Sequence, residues 1–175
     1  LKACEDNPRN HAIFKTLFYS GMTISELLGD KRTGYRGLYV EDINLTSTDE
    51  KTFDVRVLGK GKKERWVLVS KQAIEDILRY LGDRRTGKIF DITPRMVQKL
   101  ARKYAKEAGL PDWDKHGRWS PHKARHTLIN EIIRKTGDYL AAVTQTGKQP
   151  PPDIPITTPS TERRHAVMKK VFEER

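Results

Sequence analysis

The sequence predicts a mainly α-helical fold with one small antiparallel β-sheet, and three observations predict it. Apolar residues recur with a 3.6-residue period in segments at both ends of the chain. One stretch between residues 38 and 70 is instead rich in Val, Leu and aromatic residues. Ser or Thr, Pro and Gly punctuate the helical segments where caps belong. At 175 residues the chain can bury a real core and reads as one domain. It opens at Leu1 with apolar and charged residues already in helix-like order, which suggests a piece whose N-terminal neighbour has been removed.

Residues 8–20 (PRNHAIFKTLFYS) set Ile13, Phe14, Leu17 and Phe18 on one face and are closed by Gly21. Thr23 and Glu26 have the spacing of a capping box and open a short helix through Leu28. Residues 31–37 (KRTGYRG) read as a loop. LYVEDINL, TFDVRVLG and ERWVLVS follow as strands, and the hairpin tip between the last two carries Lys60, Lys62 and Lys63. Ser70 caps KQAIEDILRYLG, with Ile74, Ile77, Leu78 and Leu81 inward, and Thr93-Pro94 opens RMVQKLARKYAKEAG. PDWDKHGRW is a loop leading to Ser120. Residues 138–147 form a shorter helix. Residues 148–159 (KQPPPDIPITTP) are a Pro-rich joint, because their prolines interrupt a helix and deny a strand its donors. STERRHAVMKKVFEER closes the chain as an amphipathic helix with Ala166, Val167, Val171 and Phe172 on its apolar side.

The stretch with the most chemistry is residues 120–137 (SPHKARHTLINEIIRKTG). Ser120 suits an N-cap, Pro121 the first helical position and Gly137 the end, so His122 and Arg125 lie one turn apart on one face. Unpaired N–H groups and the helix dipole favour negative charge there, and an imidazole and a guanidinium add to it. An oxyanion fits, phosphate best; the bland alternative is a capped surface helix with two polar residues in its first turns. Lys plus Arg number 34 against 23 acidic residues, a formal charge of +11 spread through the chain, which favours nucleic acid over a membrane surface. A single cysteine, Cys4, excludes an internal disulfide and fits a reducing compartment. No apolar run reaches membrane-spanning length and no signal peptide is visible.

Four separated pieces, LFYSGMTISELLG, VLGKGKKERWVLV, SPHKARHTLIN and TGDYLAAVTQTGK, stand in the order and at the spacing of the boxes of one family. Through them the chain resembles the catalytic domain of tyrosine recombinases, the phage-integrase family, from Leu1 to the last helix. The first is similar to the box Thr-Gly-Leu-Arg-Ile-Ser-Glu-Leu. The second resembles the hairpin that bears the catalytic lysine, which maps to Lys60. The third matches His-x-x-Arg-His, giving His122, Arg125 and His126. The fourth resembles a stretch that normally ends in Gly-His, so Lys148 occupies that position. The prolines and Lys148 resemble the divergent integrases of archaeal viruses and plasmids.

The resemblance implies a tyrosine-recombinase catalytic domain over residues 1–175, without the N-terminal DNA-clamping domain. It implies a site-specific recombinase that breaks and rejoins double-stranded DNA by transesterification through a 3′-phosphotyrosyl intermediate. Arg125 would clamp nonbridging oxygens, His122 would handle a proton or donate to phosphate, Lys60 would protonate the leaving oxygen, and Lys148 would donate where relatives use His or Trp. Lys62, Lys63 and Arg65 would touch the DNA backbone. Positive side chains supply the charge, so no metal and no cofactor are expected. A homotetramer on DNA through exchange of C-terminal segments, a cytoplasmic, DNA-associated location and no membrane contact are implied as well.

Two departures stand out. Thr23 occupies the place of the family's first catalytic arginine; TGYRGLYVEDI partly matches the same box, so Arg36 is the alternative source of that guanidinium. The nucleophile is expected near Ser160, yet no tyrosine follows Tyr139, and serine is a poor replacement without a dedicated base. Tyr139 falls in the apolar part of a helix and reads as packing. His122 and His126 have the i, i+4 spacing of zinc helices, but Lys123 stands where a Glu is needed and no third ligand is evident. His126 reads as a supporting or core residue. His11, His116 and His165 read as surface residues, and Trp66, Trp113 and Trp119 as packing groups. The competing class is a catalytically impaired DNA-binding or regulatory module on the same scaffold.

Overall fold

The computed structural model describes residues 1–46, 51–59, 63–110, 120–148 and 159–173. Its helices are α1 (Pro8–Ser20), α2 (Ile24–Leu28), α3 (Lys71–Leu81), α4 (Pro94–Glu107), α5 (Pro121–Thr136), α6 (Tyr139–Thr146) and α7 (Thr161–Glu173), with strands β1 (Thr52–Leu58) and β2 (Glu64–Ser70) between α2 and α3. The fold class is the expected one. Most helices begin where a side-chain oxygen takes an orphan N–H: Asn7 caps α1, Thr23 α2, Ser70 α3, Thr93 α4 and Asp138 α6. Each such cap contributes about 1 kcal/mol. Ser120 is the exception: its hydroxyl makes no cap bond, and α5 starts on Pro121 with the Ser120 carbonyl accepting the Lys123 N–H.

Helix α1 runs through the middle of the core, against α3, α5 and β2. Ile13, Leu17, Leu27, Leu28, Ile74, Ile77, Phe90 and Leu128 are fully buried around it. Burying each such side chain contributes about 1.5–3 kcal/mol before conformational entropy is counted. The hairpin pairs Phe53 with Val69 and Val55 with Val67, and Val55, Val57, Val67 and Val69 face the core. Helix α7 lies over α5, α6 and the hairpin.

Several expectations are corrected. Residues 38–45 do not form a strand: they make only isolated bridges, Tyr39 to Lys88 and Ile43 to Val55, on either side of a 3₁₀ turn at Val40–Asp42. The cause is Asp42, whose fully buried carboxylate accepts the Tyr39 N–H at 2.9 Å and binds Arg36 and Arg56, curling the backbone. On α7 the buried residues are Val167, Met168, Val171 and Phe172, and Ala166 is exposed. His11 is not a free surface residue, since its Nδ1 lies 2.9 Å from the buried carboxylate of Asp76. His165 is likewise half-buried, with Nδ1 3.0 Å from the Thr52 hydroxyl. Trp66 is 44% exposed rather than packed, and Trp113, Trp119 and His116 lie outside the described residues.

Candidate functional site

Arg125 enters the interior because of its register on α5. Pro121, Ala124, Arg125 and Leu128 share the buried face, so the guanidinium is carried inward and is only 7% exposed. Its Nη1 donates to the Gly21 carbonyl at 3.0 Å. Gly21 is left-handed at φ 69°, which turns the chain from α1 into α2, and a Cβ there would meet Thr146 Cγ2 at 2.9 Å and Leu128 Cδ2 at 3.1 Å. This tight turn brings α2 beside α5 and α6.

The capping box then supplies the site's carboxylate. Glu26 is 8% exposed, accepts the Thr23 N–H at 2.7 Å and lies 3.9 Å from Arg125 Nη1 through Oε2. Its main partner is Arg65, whose Nη2 donates to both carboxylate oxygens at 2.9 Å, while Arg65 Nη1 donates to the Gln145 carbonyl at 3.0 Å. Gly147 lies against the same guanidinium: a Cβ there would stand 2.7 Å from Arg65 Nε. Gly59, at the base of the hairpin tip, would place a Cβ 4.0 Å from Glu26 Oε1. The buried carboxylate thus ties α2 to β2 through Arg65, whose other terminal nitrogen reaches the end of α6, and it lies close to Arg125 of α5.

Charge around Arg125 is mixed but net positive. Burial lowers its pKa below the ordinary guanidinium value, Glu26 pulls it back up, Arg65 lowers it and Tyr35 raises it. Its Nε is buried and finds no acceptor among the described residues. One turn earlier, His122 is exposed and packs edge-on against His126, with ring centroids 4.8 Å apart. Burial, then His126, Arg125 and Lys148, depress the His122 pKa, so the imidazole is neutral near pH 7. Lys148 is exposed directly after the Gly147 turn, within electrostatic reach of His122.

The sequence-derived candidates therefore divide. His122, Arg125 and Lys148 share one neighbourhood. Lys60 and Lys62 lie outside the described residues, and Lys63 is exposed next to the tip, its carbonyl accepting the Gly59 N–H at 2.8 Å. Arg65, expected to face DNA, is turned inward, because Glu26 and the Gln145 carbonyl offer it buried acceptors. Arg36 is bound by Asp42 and lies over the Tyr39 ring, 4.4 Å from its centroid. Thr23 serves as the α2 cap. Ser160 caps α7 by accepting the Arg163 N–H at 3.2 Å. The neighbouring Glu162 carboxyl is held below its usual pKa, first by its own backbone N–H and then by the Ser160 hydroxyl, which makes it a weak base. Tyr139 is the half-buried first residue of α6. His126 is exposed, not core. Among the described residues no three His, Cys, Asp or Glu side chains gather as a metal-holding group.

Sequence reasoning missed Glu26 and Tyr35 as neighbours of Arg125, and the inward role of Arg65. The capping-box spacing identified Glu26 only as a helix opener. Nothing local marks Arg65, whose partners lie 39 and 80 positions away in sequence.

A family model described as the phage integrase family matches residues 1–147. Tyrosine recombinase XerC of Thermodesulfovibrio yellowstonii is 31% identical over 147 residues, covering 74% of this chain and 43% of the relative. Tyrosine recombinase XerA of Pyrococcus horikoshii is 28% identical over 144 residues, covering 76% and 44%. The chain spans less than half the length of these curated relatives. Among solved structures, XerH site-specific recombinase bound to difH substrate in a pre-cleavage complex aligns with TM-score 0.65 at 18% identity, covering 94% of this chain and 42% of that one. A XerA recombinase structure aligns with TM-score 0.58 at 20% identity, covering 97% and 54%. These likenesses bear on the fold.

Proposed function

The chain belongs to the phage integrase family, and from that premise we propose that it is the catalytic domain of a site-specific DNA recombinase. The observation that carries the reading is the buried Arg125 in one neighbourhood with His122 and Lys148, its neighbour Glu26 lying close to Gly59 at the hairpin base that leads to Lys60. Breaking and rejoining a phosphodiester needs cations and donors around a charged, five-coordinate transition state and an acid for the leaving oxygen. In this reading Arg125 clamps two nonbridging oxygens with the fork that lysine lacks. His122, neutral at pH 7, exchanges a proton or donates to phosphate. Lys148 adds a third donor, and Lys60 protonates the departing 5′ oxygen.

Arg36 joins the cluster only by exchanging Asp42 for phosphate. Double-stranded DNA is the substrate, held by Lys62, Lys63 and the wider basic surface in the compartment where the host DNA lies, the cytoplasm. Assembly is a homotetramer on DNA, with α7 exchanged through the Pro-rich residues 148–159. Among the described residues no helix is long and apolar enough to cross a membrane. The attacking group is expected where Ser160 now caps α7.

A second reading, a DNA-binding or regulatory module on the same scaffold, is favoured by Thr23 in its capping role and by the lack of a tyrosine after Tyr139. Incubation with a nicked suicide duplex separates the two. A covalent protein–DNA adduct supports the recombinase, whereas salt-sensitive binding with no trapped adduct supports the module.

A further inference from the structure

Glu26 is one buried carboxylate set between two guanidiniums, and its two contacts are unequal. Arg65 reaches both oxygens at 2.9 Å, whereas Arg125 Nη1 stands 3.9 Å from the nearer one, too long for a hydrogen bond. Arg65 is held from behind as well. Its Nη1 donates to the Gln145 carbonyl at 3.0 Å, and its Nε and Cδ fill the space that a Cβ on residue 147 would need. The Thr23 N–H also holds Glu26, at 2.7 Å and through Oε2, the oxygen that faces Arg125, so Arg65 and the cap together fix the carboxylate. Two cations and one anion leave one positive charge, and this geometry decides which guanidinium keeps it.

We propose that Arg65 is a positioning residue: by occupying both oxygens of Glu26 it keeps that carboxylate from closing on Arg125, whose guanidinium stays an uncompensated donor for phosphate. The inference rests on the recombinase reading and deepens it. Without Arg65 the carboxylate would need to move only about 1 Å to make a charge-assisted hydrogen bond with Arg125. Phosphate would then have to displace a buried carboxylate, in surroundings that screen the pair poorly. A direct DNA contact is the rival role for Arg65. It fits less well, since the side chain is 19% exposed and both of its terminal nitrogens have acceptors inside the protein.

The test uses the 175-residue chain, with inorganic phosphate as the probe and the Arg125 Nε–H resonance as the reporter, assigned by its loss in Arg125→Lys. Thermal unfolding is followed alongside. Arg65→Gln should weaken phosphate affinity about tenfold or more. Glu26→Gln keeps the carbonyl oxygen that the capping box uses while removing the charge. The double variant Arg65→Gln/Glu26→Gln should therefore recover affinity to within about twofold of the unmodified chain.

Unchanged affinity in Arg65→Gln, or a double variant as weak as Arg65→Gln, overturns the proposal and leaves the recombinase reading standing. Should Arg65→Gln fail to fold, Arg65→Lys replaces it, because it keeps the charge and loses the two-pronged grip; the same recovery with Glu26→Gln is required. If the unmodified chain shows no response of Arg125 to phosphate, the recombinase reading falls and takes this inference with it.

Discussion

Arg125 and His122 sit one helical turn apart and meet opposite environments, one buried and the other exposed. Replacing Arg125 with Ala should lower strand cleavage far more than duplex affinity, because one guanidinium is a small part of a wide basic footprint and a large part of transition-state stabilisation. Cleavage rate and Kd measured on the same duplex check this, and equal losses would argue against the assigned role. His122 should titrate with a midpoint below 6.5 in its NMR ring signals, and His126→Asn should move that midpoint upward by removing one of the charges that depress it. Since the folded-state pKa is the lower one, the folded chain binds this proton less readily than the unfolded chain. The associated stability is present above pH 6.5 and is lost as pH falls through the folded value. Phosphate affinity should move the other way, rising as the imidazole gains its charge. Thr23 is the reverse case, an uncharged residue whose hydroxyl and N–H are both used in capping α2. Thr23→Arg should strengthen phosphate binding while costing about 1 kcal/mol of stability through the lost cap, read as a lower Tm.

Helix ends and the sheet edge account for how these residues reach one another. Gln145, near the end of α6, is buried and acts as a short stand-in for a third strand. Its Oε1 accepts the Leu68 N–H at 3.2 Å, and its Nε2 donates to the Leu68 carbonyl at 2.6 Å and to the Ser20 carbonyl at 2.9 Å. One amide therefore joins α6, β2 and the end of α1, immediately before the Gly147 turn that presents Lys148. Gln145→Leu would match the volume and leave those backbone groups unpaired in the interior, at a cost of about 2–4 kcal/mol. Denaturant unfolding with an unchanged m-value would measure it. The same change should blur the position of Arg65, which uses the Gln145 carbonyl.

At the scale of the whole molecule, the net charge of +11 should make DNA binding steeply salt-dependent. If at least four phosphates are neutralised, log affinity should fall with log salt at a slope of about −3.6 or steeper, and a shallow slope would argue against a broad DNA-facing surface. The amino-acid sequence by itself determined the helix starts at Thr23, Ser70 and Thr93, the helical segments that became α1 and α6, the hairpin, the apolar faces of α1 and α3, and the family boxes. These are local features, set by residues within about one turn of each other or by direct alternation along a strand. It was misled at residues 38–45, where a strand-like run was bent by Asp42 and its two arginines, and at Ser120, whose capping pattern carries no cap bond. Only the tertiary structure decided which acceptors the long cations found: Arg65 took Glu26 and Gln145, Arg36 took Asp42, and Arg125 took Gly21. A flexible guanidinium on several rotatable bonds suits DNA, solvent or a buried carboxylate equally well in an extended chain. Its choice is made when the fold removes water from one of them and brings that one within hydrogen-bonding distance.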